Sequence, residues 1–177
     1  LLQALSIISQ VRKISSRTFA IIPYMGYARQ DKQFLSGEVI TMSVVAKMLQ
    51  SAGAKKVIVV DIHSNTALNH FNIPTENVSA VPELANYFKK LNLKNPLVVS
   101  PDVGGSSRSK KFASLLKTDF IVLKKHRDRK TGRVSIQTTK ADVQGKDLIL
   151  VDDIISTGGS IIKAAQFLKK QKCKRVF

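Results

Sequence analysis

Two consecutive carboxylates, Asp152 and Asp153, follow a run of four apolar residues and precede a turn rich in hydroxyl groups and glycine. The turn consists of Ser156, Thr157, Gly158, Gly159 and Ser160. Its glycines can adopt backbone angles closed to other residues, and its N–H groups can converge on a phosphate at the start of a helix. The acidic pair would repel a phosphate, but it would bind hydroxyl groups or a divalent cation. A sugar phosphate meets both requirements.

The elements that must position this motif are a buried strand and a helix. Residues 148–151 are all apolar, which is typical of a strand covered on both faces. Residues 161–170 place apolar side chains at helical spacing. An isolated acidic pair or glycine pair would more simply open and turn a loop, but the order of strand, cradle and helix favours a phosphate site.

Polar groups also follow other predicted strands. Asp61 and His63 end the run 57–63, and Asp102 follows the run 96–100. The loop after the strand at residues 18–24 contains Tyr27, Arg29, Gln30, Asp31 and Lys32. Open α/β sheets bind their ligands at the carboxyl ends of strands, so these groups are candidates for one site, although a solvated loop and a structural histidine are the simpler interpretations.

A basic segment lies between two further predicted strands, 120–125 and 134–139. All of residues 124–130 except Asp128 can carry positive charge. A charged run is usually a solvated face. The two strands could also form a projecting hairpin, which a polyphosphate reaction would use to close over its substrate.

Composition and charge limit the class of protein. The chain has 177 residues, is 44% hydrophobic and has no apolar run near the roughly 20 residues of a membrane span, so we expect a globular protein without a membrane partner. The net charge of +17 is spread along the chain without an arginine-rich tail, so we expect no nucleic-acid partner. A single cysteine, Cys173, excludes an internal disulfide and favours the cytoplasm.

Strand-like runs alternate with helical stretches, which predicts an α/β fold with mostly parallel sheets flanked by helices. Residues 71–82 carry two prolines and few periodic apolar residues, so we interpret them as a link between two halves. The predicted domains are residues 1–78 and 79–177.

The segment VDDIISTGGS resembles the phosphoribosyl-diphosphate (PRPP) motif that type I phosphoribosyltransferases share with PRPP synthetases. Four more segments resemble PRPP synthetases in the same order along the chain: IPYMGYARQDK, DIHSNTALNHF, SPDVGG and KKHRDR. The chain is therefore identified as a member of the PRPP synthetase family. This resemblance implies two phosphoribosyltransferase-like halves, a partial N-terminal one with the ATP-side loop and a truncated C-terminal one with the ribose-phosphate site.

The resemblance also implies an activity, which is transfer of the β,γ-diphosphate of MgATP to the C1 hydroxyl of ribose 5-phosphate, giving PRPP and AMP. The implied ATP-binding residues are Arg29, Gln30, Asp31 and His63. The implied Mg²⁺ ligands are His63 and Asp102, and the implied catalytic residues are Lys125, Arg127 and His63. Asp152 and Asp153 would hold the ribose. The 5-phosphate would lie against Ser156, Thr157, Gly158, Gly159 and Ser160.

Some features depart from the family pattern. Ser156 stands where many members have Asp, Ser160 where many have Thr, and Val39 where they usually have Pro. The family's chain is longer at both ends, so we expect a fragment that lacks both family termini, including an N-terminal loop that reaches a neighbouring subunit's adenine site. The resemblance implies a homo-oligomer based on dimers, up to a hexamer.

Three alternatives to the synthetase remain open. The chain could be a type I phosphoribosyltransferase, a non-catalytic subunit associated with PRPP synthetase, or a PRPP-sensing protein that binds nucleic acid through its +17 charge. The presence of His63, Asp102, Lys125 and Arg127 argues against a non-catalytic subunit.

Overall fold

The computed structural model describes residues 1–127, 134–138 and 142–177. They divide into two compact units, Leu1–Ala80 and Val81–Phe177. The boundary predicted after residue 78 lies two residues before this division.

The first unit is a three-stranded parallel sheet with helices. Its strand order is β1-β2-β3, and each strand pairs in parallel with its neighbour. The elements are, in chain order, α1 (Leu2–Ile14), β1 (Phe19–Ile22), α2 (Thr41–Ala52), β2 (Lys56–Val60), a 3₁₀-helix (Asn65–His70) and β3 (Thr75–Val78).

The core of the first unit lies between this sheet and its helices. Ala20 of β1 and Val57 and Val59 of β2 pack with buried residues of α2, and Ile8 of α1 joins them. The helix α2 ends at Ala52, and Gly53 follows it with a φ of 115°, in the left-handed region that glycine adopts readily. A Cβ at Gly53 would also collide with the Arg12 side chain.

The segment 71–82, interpreted as the link between two halves, contains the division after Ala80, but part of it also forms a strand. Residues Thr75–Val78 form β3, which pairs in parallel with β2. The strand was missed because Glu76 and Asn77 are exposed and polar, so the segment shows neither a continuous apolar run nor the alternation of a half-buried strand.

The second unit is built on a five-stranded sheet of order β6-β5-β4-β7-β8. Only the β5–β6 pair is antiparallel; the other three pairs are parallel. The elements are α3 (Val81–Lys89), β4 (Leu97–Ser100), α4 (Ser106–Leu116), β5 (Phe120–Arg127), β6 (Val134–Thr138), β7 (Asp147–Leu150), α5 (Gly159–Lys170) and β8 (Arg175–Val176).

The two central strands of this sheet, β4 and β7, are covered on both faces. Leu97, Val99 and Leu148 pack with Ala164 and Leu168 of α5. The alternate residues of the same strands, Val98 and Ile149, pack in a second cluster with Val81 and Ala85 of α3 and Phe112 and Ala113 of α4. This burial confirms the predicted α/β fold, and it requires charged residues to lie beyond the strand ends or to be paired.

A fully buried charge lies at the first residue of β7. The Asp147 side chain has no exposed area, and its two oxygens accept hydrogen bonds from Nε and a terminal nitrogen of Arg175 at 2.9 and 2.5 Å. The backbone N–H of Lys94 donates to the same carboxylate at 2.7 Å. These bonds hold β7, β8 and the segment before β4 together.

Among the residues that the structure describes, no helix is long and apolar enough to cross a membrane.

Candidate active site

The acidic pair lies immediately beyond β7, next to the carboxyl end of β4. The N–H of Val151 donates to the carbonyl oxygen of Val99 at 3.1 Å, which continues the pairing of the two strands to this edge. Asp152 and Asp153 then leave the sheet, with side chains 15% and 8% exposed. The N–H of Asp153 donates to Asp152 Oδ1 at 2.9 Å, so the pair has a fixed local conformation.

Asp102 lies in the turn after β4, in the same unit as the acidic pair. Its Oδ1 accepts the N–H of Gly105 at 3.1 Å, and its carbonyl oxygen accepts the buried hydroxyl of Ser100 at 2.7 Å. A Cβ at Gly105 would lie 2.9 Å from Ser100 Oγ. The turn therefore requires glycine for its close approach to β4, and α4 begins directly after it at Ser106.

A guanidinium that the sequence analysis did not identify faces the acidic pair. A terminal nitrogen of Arg108, in the first turn of α4, lies 3.6 Å from Asp153 Oδ1 and 4.0 Å from Asp152 Oδ1. The Arg108 side chain is only 17% exposed. In the sequence it stands in the run SSRSKK, where nothing separates it from the two surface lysines that follow.

The environment of the acidic pair changes the titration of Asp152. Burial, followed by the neighbouring carboxylates of Asp153 and Asp102, raises the pKa of Asp152 to about 6, although the hydrogen bond from the Asp153 N–H opposes this shift. Three carboxylates thus influence one another at this edge, which is typical of a site that binds a cation or hydroxyl groups.

The turn after the acidic pair leads into α5. Gly158 has a φ of 76°, which places it in the left-handed region, and its carbonyl oxygen accepts the N–H of Ile162 at 2.8 Å. The N–H of Gly159 points to Thr157 Oγ1 at 3.4 Å. Ser156, Thr157, Gly159 and Ser160 are exposed. The predicted order of strand, turn and helix is present, and a hydroxyl-rich helix N-terminus is accessible to a ligand.

The predicted ATP-binding residues of the first unit follow β1. Arg29 and Gln30 are exposed, whereas Asp31 is 5% exposed. The N–H of Gln30 donates to the Tyr27 carbonyl oxygen at 2.8 Å, and the Gln30 carbonyl oxygen accepts the N–H of Met42 at 3.2 Å. These bonds attach the loop to the start of α2.

His63 is exposed and lies beyond β2 in the same unit. The residues before it are fixed to the chain around β3. Asp61 accepts hydrogen bonds from Ser79 Oγ at 2.9 Å and from the N–H of Ala80 at 2.8 Å. The N–H of Ile62 donates to Asn77 Oδ1 at 3.1 Å. The segment that carries His63 is therefore held from its N-terminal side.

A second residue that the sequence analysis missed connects these two segments. His70 Nε2 lies 2.7 Å from the carbonyl oxygen of Asp31, across 39 positions of sequence. The imidazole must donate in this contact, because a carbonyl oxygen only accepts. The loop that carries Arg29 and Gln30 is thus tied to the 3₁₀-helix that follows His63.

Lys125 and Arg127, the predicted catalytic cations, lie on β5. Their backbones pair with Ile136 and Val134 of β6, so the predicted antiparallel pair is present. Their side chains, and residues 128–130 of the basic segment, lie outside the described residues.

Metal ligands were predicted at His63 and Asp102, which belong to different units. Across residues 1–127, 134–138 and 142–177, no group of three or more His, Cys, Asp or Glu side chains has the arrangement of a metal centre. Mg²⁺ does not require such a group, since it usually keeps several waters and binds one or two carboxylates together with substrate phosphates. The carboxylates at the edge of the second unit are oxygen donors of the kind it prefers.

Both units contain residues that match known protein families. Residues 80–177 match the phosphoribosyl transferase domain, and residues 1–53 match the N-terminal domain of ribose phosphate pyrophosphokinase. Ribose-phosphate pyrophosphokinases of Pasteurella multocida and Wolinella succinogenes are 41% and 40% identical to this chain over 100% and 97% of its length. The chain belongs to the phosphoribosyltransferase family.

The similarity extends to a solved structure. The crystal structure of phosphoribosylpyrophosphate synthetase from Mycobacterium smegmatis superimposes with a TM-score of 0.87 and 33% identity, over 99% of this chain and 57% of that chain. The chain likewise spans 57% and 55% of the length of the two curated relatives. The predicted family and the predicted fold of two phosphoribosyltransferase-like halves are confirmed.

Proposed function

We propose that this chain contains the substrate-binding residues of a ribose-phosphate pyrophosphokinase, which forms PRPP and AMP from ATP and ribose 5-phosphate. In this reaction the C1 hydroxyl oxygen of the sugar bonds to the β-phosphorus of ATP. The bond from that phosphorus to the oxygen bridging the α- and β-phosphates breaks, AMP leaves, and the hydroxyl proton is released. Binding the reactants in line and neutralising the phosphoryl oxygens supply most of the catalysis in such transfers.

The single observation that supports this proposal best is the acidic edge of the second unit. Asp152 and Asp153 lie beyond a doubly covered strand, a guanidinium faces them, and an accessible helix N-terminus follows within six residues. Carboxylates suit the ribose hydroxyls, and the start of α5 suits the 5-phosphate.

The first unit supplies the residues proposed for ATP. The accessible Arg29 and Gln30 offer donors for phosphate or adenine, and the loop that carries them is fixed through Asp31. His63 is proposed to lie near the triphosphate and its metal. On β5, Lys125 and Arg127 are proposed to stabilise the charge that develops on the transferred group.

Mg²⁺ is the proposed cofactor. When bound, it would neutralise phosphate oxygens and help to orient the triphosphate. Asp102 and His63 are each proposed as a protein ligand of Mg²⁺. The proposed assembly is a homo-oligomer based on dimers, and the single cysteine is the support for a cytoplasmic location.

The test is to incubate the 177-residue chain with MgATP and ribose 5-phosphate and to measure AMP and PRPP. Omitting the sugar controls for hydrolysis of ATP. Calorimetric titration with ribose 5-phosphate measures binding independently of turnover. The proposal expects PRPP in the complete mixture and a binding isotherm that the Asp152→Asn, Asp153→Asn double variant weakens at least ~10-fold. Consumption of PRPP with a nucleobase, or no binding of ribose 5-phosphate, would contradict it.

A further inference from the structure

Arg108 differs from the other cations of its helix in its surroundings. Lys110 and Lys111 are exposed, as expected for basic residues on the outer side of a surface helix. Arg108 is 17% exposed, although its side chain is long enough to reach water. The side chain is instead directed to Asp153 and Asp152, beyond the end of β7.

The second ion pair of this unit shows what a structural arginine looks like here. Two nitrogens of Arg175 donate to the carboxylate of Asp147 at 2.9 and 2.5 Å, and the Lys94 N–H donates to the same carboxylate. Both carboxylate oxygens are therefore engaged in holding strands together. A terminal nitrogen of Arg108 lies 3.6 Å from Asp153 Oδ1 and 4.0 Å from Asp152 Oδ1, which is longer than a charged hydrogen bond. Arg108 therefore contributes positive charge without a bidentate hydrogen bond to either carboxylate.

We propose that Arg108 is a positioning residue for the sugar, which keeps Asp152 and Asp153 together as acceptors for the two adjacent ribose hydroxyls. This inference rests on the proposed function, because it assumes that the sugar binds at the acidic pair. Arg108 acts through the two carboxylates.

The physical reason is the concentration of like charge at this edge. Asp152 and Asp153 are consecutive and mostly buried, and Asp102 adds a third carboxylate whose charge is felt at Asp152. Carboxylates that repel one another would separate or take up protons, and either change removes acceptors that face a common ligand. A guanidinium within 4.0 Å of both Asp152 and Asp153 offsets the repulsion, and the start of α4, which follows the turn around Gly105, fixes its position.

The experiment compares two sugar phosphates that differ in one hydroxyl. Calorimetry measures the affinity of the full chain for ribose 5-phosphate and for 2-deoxyribose 5-phosphate, which lacks one of the paired hydroxyls. The variants are Arg108→Met, which keeps length and removes charge, and Arg108→Lys, which keeps charge. Lys111→Met is the matched control, because it removes the same charge from an exposed position of the same helix.

Wild-type chain is expected to prefer ribose 5-phosphate by about 10-fold or more, the scale of one hydrogen bond to a charged group. Arg108→Met should lower the affinity for ribose 5-phosphate at least ~10-fold and that for the deoxy sugar much less, so the preference shrinks. Arg108→Lys should give an intermediate preference, and Lys111→Met should stay within about 2-fold of wild type.

Two results would overturn the inference while the proposed function stands. One is wild-type affinity and preference in Arg108→Met; the other is an equal loss for both sugars, which would indicate a general effect on charge or folding. If Arg108→Met does not fold, Arg108→Lys decides, and an unchanged preference in that variant counts against the inference. A wild-type chain that binds neither sugar would refute the proposed function and the inference with it.

Discussion

Replacing Asp147 by Asn tests whether the bond between β7 and β8 stabilises the second unit through charge. The carboxylate is fully buried and accepts three N–H groups, two of them from Arg175. The hydrogen bonds and charge of Arg175, with the Lys94 N–H, lower the pKa of Asp147 from 3.8 to about 2, although burial opposes this shift. Asn has the same shape but neither the charge nor the second acceptor oxygen.

The size of the effect follows from that pKa. Each pKa unit corresponds to 1.36 kcal/mol, so the ionised pair contributes at most about 2.5 kcal/mol near neutral pH. The Arg175 side chain is 46% exposed, so water screens part of this interaction. We therefore expect Asp147→Asn to lower the free energy of unfolding by about 1–2 kcal/mol at pH 7.

The direction of the pH dependence is fixed by the sign of the shift. Because the folded-state pKa lies below the unfolded one, the contribution is complete well above pH 4 and is lost as pH falls towards 2. Urea unfolding followed by circular dichroism, at pH 7 and at pH 2, measures the difference between wild type and variant. At pH 2 that difference should be less than about one third of its value at pH 7.

The exposed ion pair of the first unit is the control. Lys56 and Glu76 approach to 2.7 Å, but their side chains are 31% and 52% exposed, so Glu76→Gln should cost less than about 0.5 kcal/mol. The reasoning is refuted if Asp147→Asn costs no more than this control at pH 7. A loss that remains undiminished at pH 2 would also refute it, because it would come from packing and not from the ionised carboxylate.

Four further variants test other parts of the chain. Lys125→Ala or Arg127→Ala should lower PRPP formation at least ~100-fold and leave ribose 5-phosphate binding nearly unchanged, and normal turnover would contradict the proposed role. His70→Ala removes the donor to the Asp31 carbonyl oxygen, so ATP affinity should fall about 3- to 10-fold in calorimetry while sugar affinity is kept; equal losses for both ligands would exclude a local effect. Ser109→Ala should raise the free energy of unfolding by about 1 kcal/mol, seen as a higher urea midpoint, since the buried hydroxyl has no hydrogen-bond partner among the described residues, and a lower midpoint would show that the hydroxyl is satisfied.

The parts of this fold that the sequence predicted are those encoded by local pattern. The strand before the acidic pair is a continuous apolar run, and the structure covers β7 on both faces as that run indicates. The helix α5 likewise covers residues 161–170, whose apolar side chains stand at helical spacing in the sequence. In each case a few adjacent residues carry the information.

The parts that were missed depend on contacts between distant segments. His70 ends a 3₁₀-helix, and only the folded chain brings it to Asp31, 39 positions away. Arg108 is one of three basic residues within four positions, and its orientation towards the acidic pair follows from the packing of α4 beside β4. Residues 75–78 form a strand because they pair with β2, although Glu76 and Asn77 have little intrinsic preference for a strand.

The two ends of β7 show how one strand separates structural from functional charge. Because both faces of the strand are covered, carboxylates occur only at its first residue, Asp147, and beyond its last, at Asp152 and Asp153. At the first end a bidentate arginine lowers the pKa of Asp147 to about 2, which is the condition of a satisfied ion pair. At the other end burial and neighbouring carboxylates raise the pKa of Asp152 to about 6, in spite of Arg108 nearby. An acidic group in an unfavourable environment is stabilised by whatever supplies donors or positive charge, so the raised pKa of Asp152 supports the proposed sugar site at this end of the strand.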